Sequence, residues 1–141
     1  MLLEGENVLL RREIVEDGEW YLKWQTSGEW LEFDAPWEAG PARIDKESFL
    51  KKYHERVERL GDEVPKRVTI VNKATGNPIG WMIRYGKARF PGVWWIGIDI
   101  CEDECLEKGL GSEALVLWRK YLFDNLDVQK IALDTWSMNP R

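Results

Sequence analysis

The chain has 141 residues, 44% of them hydrophobic and 32% charged, with a formal net charge of −5. That length suits one domain over residues 1–141 with a core of its own, and the acidic balance disfavours a nucleic-acid binder, because neutralising a phosphate backbone needs surplus Lys and Arg. The longest apolar run, Val93 to Ile98, is far short of the ~20 residues of a membrane span, and Met1 to Glu6 lacks the basic start of a signal peptide, so a cytoplasmic setting without membrane contact is expected.

Val8 to Arg12 reads as the first strand. A helix follows from about Asp17, its expected N-cap, with Trp20 and Trp24 stacked on one face. Gly28 to Arg43 is irregular and carries Trp30, Phe33 and Trp37 among Gly and Pro. Lys46 to Leu60 has Phe49, Tyr53, Val57 and Leu60 at helical spacing, with Gly61 as the expected C-cap. Its single histidine, His54, sits between charged neighbours and reads as a solvated position. Val68 to Val71 and Ile79 to Tyr85 flank the turn residues Thr75, Gly76, Asn77 and Pro78, which predicts a hairpin. Val93 to Ile100, apolar on both faces, predicts a central strand. Gly111 to Leu126 predicts a helix with Leu115, Trp118, Leu122 and Leu126 on its buried stripe, and Lys130 to Trp136 a last strand. The expected order is β-α-α-β-β-β-α-β. Cys101 and Cys105, with no His nearby, cannot complete a four-ligand zinc site, so no metal is expected.

The segment from Val93 to Leu126 carries the most information: an apolar strand, an acidic connection, Gly109 and Gly111, then an amphipathic helix. Glycines let backbone N–H groups approach an anion, and a helix start adds unpaired donors and the positive end of its dipole, so a diphosphate ligand is the first hypothesis. Gly109, Gly111 and Ala114 also satisfy a dinucleotide fingerprint, with Asp134 placed as the ribose acid. Against that reading, Cys101 to Lys108 separates strand from glycines, and only seven residues follow Asp134. No Gly-Lys-Ser or Gly-Lys-Thr supports a triphosphate loop. An ordinary tight turn onto a core helix is the remaining alternative, favoured by Glu102, Asp103, Glu104 and Glu107 crowding the connection.

Gly97-Ile98-Asp99 together with Lys108-Gly109-Leu110-Gly111-Ser112-Glu113-Ala114-Leu115 resembles the acetyl-coenzyme A motif of the GNAT superfamily of N-acetyltransferases. Leu10-Arg11-Arg12, Asn77-Pro78-Ile79-Gly80 and Leu133-Asp134-Thr135 extend the likeness over essentially the whole chain. The branch resembled is that of aminoglycoside 6′-N-acetyltransferases and ribosomal-protein N-terminal acetyltransferases. The resemblance implies an α/β (α+β) fold with a mixed, mostly antiparallel sheet flanked by helices, here ending after the fifth strand.

It also implies acetyl-coenzyme A as cofactor. The diphosphate would lie on backbone groups of Leu106, Glu107, Lys108, Gly109, Leu110, Gly111 and Ser112. The pantetheine arm would pair with backbone around Asp99, Ile100 and Cys101, with Asn139 a further contact. Asp99 matches the family's acid and would take the proton of the attacking amine, although Trp94 and Trp95 stand where other members often place a glutamate. Trp30, Asp34 and Trp37, in the loop that covers the acceptor in this family, would bind a cationic amine, either a small aminoglycoside-like molecule or a protein N-terminus.

The likeness stops at Asn139-Pro140-Arg141, short of a further helix, strands and a tyrosine general acid. A last strand with an open edge would then invite a homodimer or a strand-completing partner. The functional expectation is an acetyl-coenzyme A-dependent N-acetyltransferase. The alternative is a non-catalytic module of the same fold that binds the cofactor or a partner.

Overall fold

The structure, a computed structural model, describes residues 3–26, 45–61, 63–105 and 108–133. Nine regular elements follow in order among them: β1 (Leu3–Glu4), β2 (Val8–Arg12), α1 (Gly18–Thr26), α2 (Lys46–Glu58), β3 (Arg67–Asn72), β4 (Pro78–Gly86), β5 (Val93–Ile100), α3 (Leu110–Asn125) and β6 (Lys130–Ala132). The six strands form one sheet in sequence order, antiparallel throughout except where β5 meets β6 in parallel. The sheet thus has six strands rather than the expected five. Two-residue β1 is the addition, too short for alternation to reveal, and it is held by pairing with Leu9 and Leu10.

Alternation along each strand divides the interior into two clusters. On one face Val8, Leu10, Val68, Ile70, Met82 and Ile96 meet Ala114, Trp118 and Leu122 of α3, spaced every four residues so that they form one stripe. Leu115 and Leu126, expected on that stripe, lie at its half-buried margins. On the other face Trp81 and Cys101 meet Tyr21 and Trp24 of α1 and Tyr53 of α2. Trp20 and Trp24 are in contact at 6.2 Å but tilted by 43°, not stacked, because Trp24 turns into the core against Tyr21 and Trp81.

Two expected helix caps are corrected. A 3-10 turn at Val15–Asp17 leads into α1, with Ile14 rather than Asp17 as the N-cap; the buried Asp17 carboxylate, third in the turn, accepts from the Ile14 amide (3.1 Å), from both Arg11 guanidinium nitrogens (2.7 and 2.8 Å) and from Thr69 Oγ1 (2.9 Å). α2 ends at Glu58 with Arg59, in right-handed conformation, as its C-cap. Gly61 therefore takes no capping role, and Leu60 is exposed.

β5 lies next to last in the sheet, between β4 and β6. Gly80 brings β4 unusually close to its end, since a Cβ there would stand 1.9 Å from the Asp99 carbonyl oxygen. The β3–β4 register shifts between Ile70 and Val71, leaving Ile79 as the extra residue of a bulge beside that contact. Only the β5–β6 pair is parallel, and β5 runs antiparallel to β4, which excludes the dinucleotide-binding alternative with its parallel βαβ units.

Candidate functional site

The Val93–Leu126 segment folds as strand, 3-10 turn and helix. Gly109 precedes α3 with φ of +77°, a left-handed conformation that L side chains rarely adopt, and among the described residues nothing lies within 4 Å of where its Cβ would be. Among the described residues no side chain caps the helix: its first backbone bond runs from Glu113 N to Gly109 O, so the amides of Leu110, Gly111 and Ser112 precede the intrahelical ladder. These amides and the dipole of a 16-residue helix make an electropositive end, with exposed Lys108 beside it. Gly111 serves differently. A Cβ there would touch Ile100 and Ile98 at 3.5 and 3.6 Å, ordinary packing distances, so its side faces the sheet.

Two carboxylates that threaten an anion site have other partners. Glu102 accepts from Lys23 Nζ (2.9 and 3.1 Å) and from Trp24 Nε1 (3.2 Å), which ties the connection to α1. Glu113 accepts from the Asn7 amide at 2.8 Å. Cys105 is buried next to Asn72, and burial pushes its thiol above the ordinary range.

Asp99 is half-buried on β5 opposite Trp81, on the face covered by α1 and α2. Neighbours in sequence point the other way: Ile98 and Ile100 pack toward α3. Cys101, buried beside Trp24 and Trp81, donates its N–H to Ile79 O at 2.7 Å. By strand alternation the backbone polar groups of Ile98 and Ile100 then face the opposite edge. β6 pairs there only with Val93, Trp94 and Trp95, so that edge carries no strand partner at Ile98 or Ile100 among the described residues. Asp99, Ile100, Cys101 and the Lys108–Ser112 start of α3 are therefore grouped around one end of β5. Leu106, Glu107, Asn139, Trp30, Asp34 and Trp37 lie outside the described residues, as does Asp134.

A buried polar network backs this face. Glu13, 4% exposed, is held by Arg56 and by Tyr53 Oη (3.0 Å). Hydrogen bonding to Asp17 and Glu13 respectively raises the Arg11 and Arg56 guanidinium pKa values. Burial, with the charge of Glu13 adding to it, pushes the phenols of Tyr21 and Tyr53 well above their usual range. Sequence reasoning missed this network. Its signal was Arg11 and Glu13 placed two apart, on one face of the first strand and its extension. His54 is exposed and pairs with Glu58 at 2.8 Å on the outer side of α2.

A six-stranded, mostly antiparallel sheet with a glycine-started helix packed against the end of β5 defines an acyl-coenzyme A N-acyltransferase architecture. The profile of the acetyltransferase (GNAT) domain matches residues 7–141, and the chain belongs to that family. No curated protein sequence matches significantly. Among solved structures, a GNAT-family acetyltransferase from Bacillus anthracis superposes with a TM-score of 0.74 at 16% identity, covering 99% of this chain and 76% of that one. Spermidine N-acetyltransferase from Vibrio cholerae, solved with CoA and spermine, gives 0.72 at 18% identity over 96% and 75%. Aminoglycoside acetyltransferase AAC(6′)-Ib in complex with coenzyme A gives 0.67 at 22% identity over 94% and 77%. At these identities the likeness is one of fold. Among the described residues no helix is long and apolar enough to cross a membrane.

Proposed function

We propose that the chain is an acetyl-coenzyme A-dependent N-acetyltransferase whose acceptor is a cationic amine, of a small molecule or of a peptide N-terminus. The observation that carries this reading is the left-handed Gly109 start of α3 set against the end of β5 that carries Asp99. The residues suit the cofactor's chemistry. Amides of Gly109, Leu110, Gly111 and Ser112, with Lys108, would hold the diphosphate, and the backbone groups of Ile98 and Ile100, turned away from β4, would pair strand-like with the pantetheine amides. Leu106, Glu107 and Asn139 complete the set proposed for the cofactor. Trp30, Asp34 and Trp37 are proposed to contact the acceptor.

Acetyl-coenzyme A supplies an acetyl group activated as a thioester. The acceptor nitrogen must be neutral to attack it: the C–N bond forms as the C–S bond breaks, and the proton that the nitrogen then sheds passes to the thiolate, so coenzyme A leaves as the thiol. Asp99 receives the proton of the incoming ammonium, directly or through water, and its half-buried position opposite Trp81 keeps the carboxylate close to the end of β5. Removing a general base of this kind costs roughly 100- to 10,000-fold in turnover. Asp99→Asn is therefore expected to bind acetyl-coenzyme A as the parent does, by calorimetry, while thiol release in the presence of polyamine, aminoglycoside or peptide amines falls by that factor. Undiminished turnover in Asp99→Asn would remove Asp99 from the reaction. Cofactor binding by the parent without thiol release from any amine class would leave only a binding module.

A further inference from the structure

Trp95, a residue the motif sets apart, has no task in the reaction above, yet it lies on the same face of the sheet as Asp99. Along that face β5 presents Trp95, Gly97 and Asp99 in turn. Trp95 stacks on Tyr85 at 6.3 Å and 21°, and meets Phe90 edge-on at 5.8 Å and 60°. Tyr85 and Phe90 are 38% and 51% exposed, which makes an aromatic corner open to solvent at the far end of the β4–β5 hairpin. The Lys87 ammonium stands 4.2 Å from the centroid of the Trp95 ring, inside cation–π range, so this ring already receives a primary ammonium. Gly97 carries no side chain, and Ile83 of β4 lies over it, 3.0 and 3.2 Å from where a Cβ would stand, so an aliphatic surface suited to a methylene chain joins ring and carboxylate. Four residues of strand separate the two, about 13 Å.

We propose that the Tyr85–Phe90–Trp95 corner is a second-cation subsite, which makes an elongated di- or polyamine the acceptor class: one nitrogen reacts at Asp99 while a second, about 13 Å away, rests on Trp95. This deepens the acetyl-transfer reading and rests on it. The remote ammonium takes the place of Lys87, whose flexible stem can swing to water. A monoamine of equal length reaches Asp99 but gains nothing at the corner. Shorter diamines cannot bridge the two points.

Calorimetric titration of a straight-chain α,ω-diamine of that span, against the monoamine of equal length, tests the subsite without needing turnover. The parent protein is expected to prefer the diamine by about tenfold, as a cation–π contact of this kind allows. Trp95→Leu is expected to abolish the preference, Phe90→Ala to reduce it in an undisturbed fold because Phe90 is exposed, and Lys87→Gln to increase it by removing the competing ammonium. Equal affinity for both amines in the parent, or a preference that survives in Phe90→Ala and does not grow in Lys87→Gln, would overturn the proposal. Thiol release from acetyl-coenzyme A with the same diamine reads the reaction separately. A diamine preference without thiol release would keep the subsite and discard the acetyltransferase reading.

Discussion

The two glycines of the motif are expected to respond in opposite ways to the same added methyl group. Gly109 has φ of +77° and no described residue within 4 Å of its Cβ position, so alanine there is expected to suffer the backbone penalty alone. That penalty is about 1–2 kcal/mol for an L residue held left-handed. Gly111 has helical backbone in the first turn of α3, and its added methyl would pack 3.5–3.6 Å from Ile100 and Ile98. There alanine gains helix propensity and contact, up to about 1 kcal/mol. Urea unfolding of Gly109→Ala should give a lower midpoint at unchanged slope, corresponding to a loss of about 1–2 kcal/mol, while Gly111→Ala should be neutral or more stable. Gly109→Asn should fall between Gly109→Ala and the parent, because asparagine tolerates the left-handed region. A neutral Gly109→Ala beside a costly Gly111→Ala would refute the assignment of backbone strain to the first glycine and sheet packing to the second.

Gly80→Ala should be far more damaging, costing more than about 3 kcal/mol or preventing folding, since its Cβ would meet the Asp99 carbonyl oxygen at 1.9 Å and must push β4 from β5; thermal melting with amide chemical shifts around Asp99 would register it. Arg11→Met leaves the Asp17 carboxylate, 1% exposed, without its bidentate partner and should cost about 3 kcal/mol in urea unfolding. Alkaline titration should show stability falling above about pH 10: the unfolded chain releases the Tyr21 and Tyr53 protons near their ordinary pKa while the folded chain, where both values are raised, retains them. Each phenol adds about 1.4 kcal/mol per pH unit to that loss, so Tyr53→Phe should visibly flatten the slope.

The sequence by itself determined the elements whose signals are local. Turn chemistry at Thr75 to Pro78 specified the β3–β4 hairpin, and the helical spacing of Trp118 and Leu122 marked the buried face of α3, whose centre includes Ala114 rather than the expected Leu115 and Leu126. The acetyl-coenzyme A resemblance was likewise legible, because Gly109 and Gly111 stand in a contiguous motif whose backbone demands follow from residue type. Only the tertiary structure decided what depends on long-range pairing. Nothing near Asp17 announces that its carboxylate is also held by Arg11 and Thr69, 6 and 52 residues away. Nor does local pattern reveal that Glu102 is drawn off to Lys23 and Trp24, or that Gly80 must be bare for Asp99 to lie where it does. Strand register sets the face that Asp99 and Trp95 share, and register is settled by partners distant in sequence rather than by neighbours along the chain.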